Sequence, residues 1–173
     1  MTSIGLDLLL DSLRYDRTAT LELAASVPEP HCGTRAGGVG QTPAWIVAHL
    51  HLADSRQGLR YGVEPVCDLD GLMRDVGPAS DLDRAADAVR THFGDWAGAI
   101  RASTESHARL LAAIAAAPEE LLLGPHPAEE VREWFPTLAH NLVYAVWHEG
   151  NHGGQLRAWM HAARAAGLLP AAG

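Results

Sequence analysis

Residues 148–159 read HEGNHGGQLRAW, and the spacing of polar groups in this stretch predicts a helix with a functional face. His148 and His152 are four residues apart, so on a helix their rings share one face and could bind one metal ion. Tyr144 and Gln155 fall on the same side. Two buried, hydrogen-bonded histidines without a metal would give the same pattern, so the pair alone leaves both interpretations open.

A third histidine on another helix favours the metal site. Residues 43–54, PAWIVAHLHLAD, are predicted to be helical and contain His49 and His51. At about 100° per residue, the large apolar side chains, among them Trp45 and Leu52, point in nearly the same direction as His49. His51 points almost the opposite way and is expected at the surface, so His49 is the inward histidine.

The predicted metal ligands are therefore His49, His148 and His152. Three neutral imidazoles leave a coordination position open, as catalytic metal sites do and structural sites do not. Zinc is the divalent metal expected by default, and nickel, iron and manganese also accept histidine nitrogen.

The same stretch also spells His-Glu-x-x-His, the zinc-protease signature, in which Glu149 would be the general base. Such a protease needs a third ligand downstream, but Glu149 is the last acidic residue of the chain. Gln155 and Ala158 stand where the longer metzincin pattern needs glycine and histidine. The sequence thus argues against a peptidase. Glu149 points about 100° away from His148, so we expect it at the surface, at the rim of the site or in a dimer contact.

Four long segments have the periodicity of helices, and they span about 4–25, 43–61, 80–117 and 138–166. In the third segment, apolar residues recur in alternating steps of four and three, which is the seam of a helix packed in a bundle. No stretch alternates convincingly with period two. We therefore predict an all-α fold, an antiparallel four-helix bundle in which residues 1–173 form one domain.

Composition and charge narrow the range of partners. The formal net charge of −8 argues against nucleic acid, whose phosphates require a basic face. No apolar run reaches the roughly 20 residues of a membrane span. The first residues, MTSIGLDLLLDSLRYDR, carry acids inside the apolar stretch, unlike a signal peptide. Cys32 and Cys67 are expected to be free thiols. These features predict a cytoplasmic protein that binds neither nucleic acid nor a membrane.

Two motifs together resemble the DinB-like superfamily, which includes the YfiT-type proteins. HEGNHGGQL resembles that family's His-Glu-x-x-His-x-Gly-Gln segment, and Trp45, His49 and Asp54 match its Trp-x-x-x-His followed five residues later by an acid. Gly153 departs from the pattern, since many members carry a basic or larger residue there. The resemblance implies a four-helix bundle in which three histidines hold a divalent metal, often within a homodimer. The fourth helix is apolar nearly all round, which also fits a homodimer.

Five further residues are candidates for the wall of a pocket: Trp45, Arg56, His107, Tyr144 and Gln155. His107 lies on the inward seam of the third segment, where it would line the pocket or be a buried, hydrogen-bonded histidine. Arg56 would hold a substrate carboxylate or extend to solvent. Tyr144 would donate to a metal-bound group or simply pack.

The function predicted from these features is a thiol-dependent transferase acting on a small molecule. Some members of the resembled family use a low-molecular-weight thiol of the mycothiol or bacillithiol type. A metal would bind the thiol's sulfur, favour the thiolate at neutral pH and direct it at an electrophile. The alternatives are a non-catalytic metal- or ligand-binding module of a stress response and, third, a metal-dependent hydrolase. No catalytic side chain is assigned.

Overall fold

The computed structural model describes residues 3–38 and 40–171. Within these ranges the chain forms seven α-helices and three 3₁₀-helices but no β-strand, which confirms the all-α prediction. The α-helices are α1 (Ser3–Ala25), α2 (Pro43–Leu59), α3 (Leu69–Val76), α4 (Ala85–Phe93), α5 (Trp96–Ala116), α6 (Glu119–Leu123) and α7 (Leu138–Ala165). The 3₁₀-helices span Glu29–His31, Leu82–Arg84 and Glu129–Val131. No helix in the described part of the chain has both the length and the apolar character needed to cross a membrane.

The second helix begins where its capping residues predict. The Thr42 hydroxyl accepts a hydrogen bond from the Trp45 N–H (3.2 Å), and Pro43 occupies the first turn, where its missing N–H costs nothing. α2 then packs against α3, α4, α5 and α7, so most of its side chains are buried. This position carries both of its histidines into the interior.

The predicted helix over 80–117 is wrong as one element, because the chain breaks it into α4 and α5. Gly94 ends α4 with φ +85°, a backbone conformation that glycine adopts at no steric cost. Asp95 then caps α5 by accepting a hydrogen bond from the Gly98 N–H. Both helices pack against α2, which is why the apolar seam of the sequence continues through the break.

Two short helices, α3 and α6, lie between the long segments that the sequence predicts as helical. α3 is capped by Asp68, whose carboxylate accepts from the Gly71 N–H (3.0 Å). Its apolar face buries Leu72 and Val76 completely. Because α3 packs against α2, the last turn of α3 contributes to the site described below.

Two apolar clusters fill the interior, and polar side chains lie between them. The first cluster is built around Trp45, Trp96, Trp159 and Leu156, and the second around Leu13, Leu110, Ile114 and Leu142. Along α1, α5 and α7, the buried residues between members of the two clusters are Arg17, Thr20, Ser103, His107, Glu149 and His152. The candidate site lies in this polar layer.

Candidate metal centre

Three histidine nitrogens converge in the polar layer. The Nε2 atom of His148 lies 3.3 Å from Nε2 of His49 and 3.1 Å from Nε2 of His152. The ligand atoms of the three residues all lie within 4.8 Å of one another. A tetrahedral zinc site with Zn–N bonds of about 2.0–2.1 Å has N···N separations of about 3.3–3.4 Å, so the spacing suits a metal ion. We call these residues the three-histidine cluster.

Hydrogen bonds on the far side of two rings fix which nitrogen faces inward. The His49 Nδ1–H donates to the carbonyl oxygen of Val76 (3.0 Å), at the end of α3, and the His152 Nδ1–H donates to Gln155 Oε1 (2.7 Å). In neutral rings the Nε2 atoms then carry lone pairs. A single proton on His148 Nε2 cannot serve both neighbours well, whereas a cation satisfies all three lone pairs. Bonds of this kind commonly orient metal-binding histidines.

Burial keeps the cluster uncharged near neutral pH. It is the main reason that the pKa of His49 falls to about 4 and that of His148 to about 3, and it also lowers the pKa of His152. Neutral imidazole is the form that binds metals. The three side chains therefore offer lone pairs at neutral pH without first having to release protons.

Trp45 supports the cluster from the side. Its ring stacks on His49 with a centroid distance of 4.3 Å and an interplanar angle of 10°, and its Nε1–H donates to Ser80 Oγ (3.0 Å). The ring also approaches His152, at 5.7 Å. Trp45 thus holds ligand rings in place, and it does not line the adjoining cavity. The same holds for Gln155, which acts on His152 through the hydrogen bond above.

A cavity of about 320 Å³ opens next to the cluster. Of the residues predicted for its wall, Arg56, His107 and Tyr144 line it, together with His49 and His148. The Tyr144 ring lies 5.8 Å from that of His148 and is partly exposed. A larger groove of about 650 Å³ lies between α1 and α5, but none of the three cluster histidines lines it. The smaller cavity is therefore the one with access to the candidate ligands.

A second polar group, the Arg17 cluster, adjoins the same cavity and comprises Arg17, Asp54, Ser103, His107 and Glu149. Arg17 is only 2% exposed. Its Nε and Nη2 donate to the two carboxylate oxygens of Glu149 (2.9 and 2.5 Å). Its Nη1 donates to Asp54 Oδ2 (2.7 Å) and Ser103 Oγ (3.0 Å). One guanidinium thus binds two buried carboxylates.

His107 completes this network. Its Nδ1 faces Asp54 Oδ1 at 3.3 Å and its Nε2 faces the carbonyl oxygen of Leu13 at 3.2 Å. Both partners are acceptors, so only the protonated ring can donate to both. Burial would raise the pKa of Asp54, but the charge of Arg17 and the hydrogen bond from His107 outweigh it and lower that pKa. His107 is thus both cavity-lining and hydrogen-bonded.

Two expectations about individual residues are wrong. Glu149 was expected at the surface, at the rim or in a dimer contact, but it is 3% exposed because it pairs with Arg17. His51 was expected at the surface, but it is 1% exposed. Its Nδ1 bonds the carbonyl oxygen of Ala102 (3.1 Å), away from the three-histidine cluster. α2 is covered on both faces, so the direction opposite His49 is interior as well.

Sequence reasoning missed Arg17, although α1 carries a signal for it. Arg17 follows Leu10 and Leu13 at helical spacing and precedes Leu21, all of which are buried. An arginine on an inward apolar stripe needs a buried acidic partner. The signal therefore marks the arginine as buried, but it does not say which carboxylate binds it.

Gly153, where many members of the resembled family carry a basic or larger residue, lies close to α1. A Cβ atom at this position would lie 2.8 Å from the hydroxyl oxygen of Thr20, which is buried on α1. At Gly154 the same addition would meet nothing within 4 Å. The close approach of α1 thus favours glycine at position 153 in this chain.

The sequence matches a known protein family over a range that contains these residues. The family model of the DinB superfamily matches residues 12–156, which is most of the chain and includes all three cluster histidines, Arg17 and Glu149. Comparisons with curated proteins and with solved structures give no significant match. The matched range covers well over half of the sequence and contains the motifs on α2 and α7, so the chain belongs to the DinB superfamily.

Proposed function

We propose that this protein binds one divalent metal ion through His49, His148 and His152 and uses the open coordination position for chemistry on a small-molecule thiol. The observation that carries the proposal is the convergence of three Nε2 lone pairs, with neighbouring separations of 3.1 and 3.3 Å, next to a cavity. The separations and the all-nitrogen donor set suit zinc, and nickel, iron and manganese accept the same donors.

In the proposed reaction the thiol loses its proton to solvent and its sulfur attacks an electrophilic carbon. A C–S bond forms, the bond between that carbon and its leaving group breaks, and the leaving group departs with the electron pair. A bound divalent metal would supply a positive charge in direct contact with the sulfur, which would favour the thiolate at neutral pH. The chain's own residues hold and orient the reactants. Trp45 and Gln155 fix the ligand rings, and the apolar wall of the cavity excludes water. The cavity volume of about 320 Å³ lies at the lower end of small-molecule sites.

Metal content is the first test. Protein purified without a polyhistidine tag, stripped with chelator and reconstituted, should take up about one zinc or nickel ion per chain. His148→Ala should not, because it removes the ligand whose nitrogen lies between the other two. Elemental analysis that finds no uptake by the unaltered protein would end the proposal.

Activity is the second test. Metal-loaded protein, supplied with cysteine-derived small thiols and 1-chloro-2,4-dinitrobenzene, should form the thioether faster than the thiol does alone. Stripped protein and His148→Ala should not. If the metal binds and no thiol is transferred, the transferase proposal fails and a non-catalytic metal-binding module remains.

We also propose that the four long helices, α1, α2, α5 and α7, form an antiparallel bundle as one domain, and that two copies of the chain associate. Support for association comes from large apolar side chains left at the surface near the cavity. Trp134 is 75%, Trp147 61% and Val143 59% exposed. Monomers rarely expose such residues together.

Light scattering tests the association directly. The chain of 18.4 kDa should give about twice that mass at micromolar concentration. Trp147→Glu should shift the mass towards the monomer, whereas Leu8→Glu, at an equally exposed leucine of α1, should not. A monomeric mass for the unaltered protein at high concentration removes this proposal.

A further inference from the structure

Arg56, in α2, and Arg60, the residue that follows the last residue of α2, line the cavity beside the histidines. Arg56 and Arg60 both belong to its wall, along with His49 and His148. They follow His49 by about two and three helical turns, so the three residues share one face of α2. Helical side chains tilt towards the N-terminus of their helix, and the histidines lie in that direction along α2.

Neither arginine has a carboxylate partner among the described residues, whereas six of the chain's thirteen arginines do. Within the described residues, Arg14, Arg17, Arg35, Arg74, Arg90 and Arg132 form ion pairs with carboxylates. Arg56 and Arg60 form none among those residues. Arg60 Nη1 instead donates to Oδ1 of the buried Asn141 (2.9 Å). This neutral acceptor orients the guanidinium and leaves its charge uncompensated.

Repulsion within the pair supports this description. Burial, and then the charge of Arg56, lower the pKa of Arg60. Glu130 acts on Arg60 in the opposite sense, but Glu130 is exposed. An anion bound between the two guanidinium groups would relieve the repulsion and would form charge-assisted hydrogen bonds.

The other charges of the cavity do not neutralise the pair. Asp54 and Glu149 also line the cavity, but Arg17 binds both carboxylates. Three neutral histidines leave the charge of a divalent metal intact. A divalent metal at the histidines would add two positive charges to the one on each of Arg56 and Arg60. This total exceeds the one negative charge that Arg17 leaves on the pair of Asp54 and Glu149, and the excess favours an anion.

The rest of the wall is largely apolar and suits the uncharged part of such a ligand. Leu52, Met73, Leu110, Val131 and Phe135 contribute to it. The Phe135 ring contacts that of Tyr144 at a centroid distance of 5.1 Å, which forms an aromatic side to the cavity. The cavity thus combines a cationic end, an apolar wall and the candidate metal ligands.

We propose that the reactant bound in this cavity carries a carboxylate, and that Arg56 and Arg60 bind it while the reacting atom lies at the histidines. The inference rests on the proposed thiol transfer and names the chemical class of one of its reactants. The carboxylate belongs either to the thiol or to the electrophile, and two matched pairs of probes distinguish these sources.

The test measures binding to cobalt-loaded protein by calorimetry. The thiol pair is 3-mercaptopropionate and 3-mercaptopropionamide, and the electrophile pair is 4-chloro-3-nitrobenzoate and 4-chloro-3-nitrobenzamide. In the pair that matches the reactant carrying the carboxylate, the acid should bind at least about tenfold more tightly than the amide. The reason is that charge-assisted hydrogen bonds from two arginines to a carboxylate are stronger than their hydrogen bonds to a neutral amide. Arg56→Gln and Arg60→Gln should each reduce the preference, and Arg101→Gln, at an exposed arginine of α5 outside the cavity, should keep it.

Equal binding of acid and amide in both pairs, or a preference that survives Arg56→Gln and Arg60→Gln together, would overturn the carboxylate proposal. Arg56 is exposed, so Arg56→Gln should fold even if Arg60→Gln does not. The thiol function is judged separately by the near-ultraviolet band of sulfur bound to cobalt. If neither thiol produces that band while the nitrobenzoate still prefers the arginines, the thiol function fails and anion binding stands.

Discussion

The three-histidine cluster and the Arg17 cluster are neighbours in one polar layer, yet they solve the problem of buried polar groups differently. Each contains three residues close enough to share a metal ion: His49, His148 and His152 in one, Asp54, His107 and Glu149 in the other. In the second, Arg17 already donates to both carboxylates. That cluster contains its own cation, whereas the first offers only lone pairs.

This difference assigns different roles to the two groups. Buried carboxylates must be paired at all times, so Arg17 is required whenever the protein is folded. Neutral histidines lack that requirement, and a cavity adjoins them. The protein is therefore expected to fold without metal and to bind the metal afterwards, at the cluster that has no cation of its own.

The largest effect is expected from Arg17→Met, which removes that internal cation from the two buried carboxylates and leaves Asp54 with the contact to His107 but without its guanidinium partner. Loss of one partner from a buried ion pair costs about 3–5 kcal/mol, so the free energy of unfolding should fall by about that amount. Urea denaturation of the metal-free protein measures it. Arg14→Met, at an arginine 61% exposed on the same helix, should change stability by no more than about 0.5 kcal/mol. Equal effects of the two variants would contradict the role assigned to Arg17.

The second effect concerns the metal. His49→Ala should empty the site at ordinary metal levels, because loss of one of three ligands weakens binding by several kcal/mol. His148→Ala serves as a positive control. His51→Ala should keep the metal but lower stability by about 1–3 kcal/mol, since it removes a buried side chain together with its hydrogen bond to the carbonyl oxygen of Ala102.

Bound metal and thermal stability with and without chelator are the readouts for these three variants. We expect His49→Ala to lose the metal and His51→Ala to lose stability while keeping the metal. If His51→Ala empties the site while His49→Ala retains its metal, the face of α2 has been assigned incorrectly, and the roles of Arg56 and Arg60 fail with it.

The positions of these residues in the structure show what the local sequence pattern can predict and what it cannot. Apolar neighbours on α2 and α7 mark the inward face of each helix in the sequence. His49 and His148 lie on those faces, and their Nε2 atoms are close together in the structure. Glu149 was misplaced because its partner Arg17 lies 132 residues away, and no local spacing encodes that pair. The apolar seam of α4 and α5 does not reveal their break, since a single glycine with positive φ interrupts the backbone and not the pattern.

The third effect is a dependence of metal-free stability on pH. In the folded protein the pKa of His49 is about 4 and that of His148 is about 3, so both stay neutral until the pH falls to those values. In the unfolded chain the same side chains bind protons near pH 6.5. Between these values the unfolded state holds more protons, so stability falls as the pH falls. From pH 7 to 5.5 the loss should approach about 1 kcal/mol for each such histidine.

Asp54 of the Arg17 cluster should not contribute to the pH dependence in that window. The pKa of Asp54 is lowered from its usual value near 3.8, so its stabilising contribution is lost only as the pH falls below that value. Urea midpoints of the metal-free protein at pH 7, 6.25 and 5.5 test the contrast. His148→Ala should show a shallower slope than the unaltered protein. A flat profile in the unaltered protein would mean that the histidines are not held neutral.

The smallest effect is expected at Gln155, and it tests whether the two clusters can be made alike. Gln155 Oε1 accepts the His152 Nδ1–H at 2.7 Å, so Gln155→Leu should let the ring turn and weaken metal affinity by about 10- to 100-fold. Gln155→Glu keeps an acceptor and adds a negative charge behind the ring, which makes His152 a stronger ligand and should preserve or raise the affinity. The added carboxylate would also favour a protonated His152 when no metal is bound, so the three-histidine cluster would come to hold an internal ion pair, as the Arg17 cluster does. Chelator competition measures the affinities, and the slope of stability between pH 7 and 5.5 should become shallower in Gln155→Glu alone. If Leu and Glu at position 155 have the same effect on affinity, the hydrogen bond does not orient the ligand and the cluster binds metal without it.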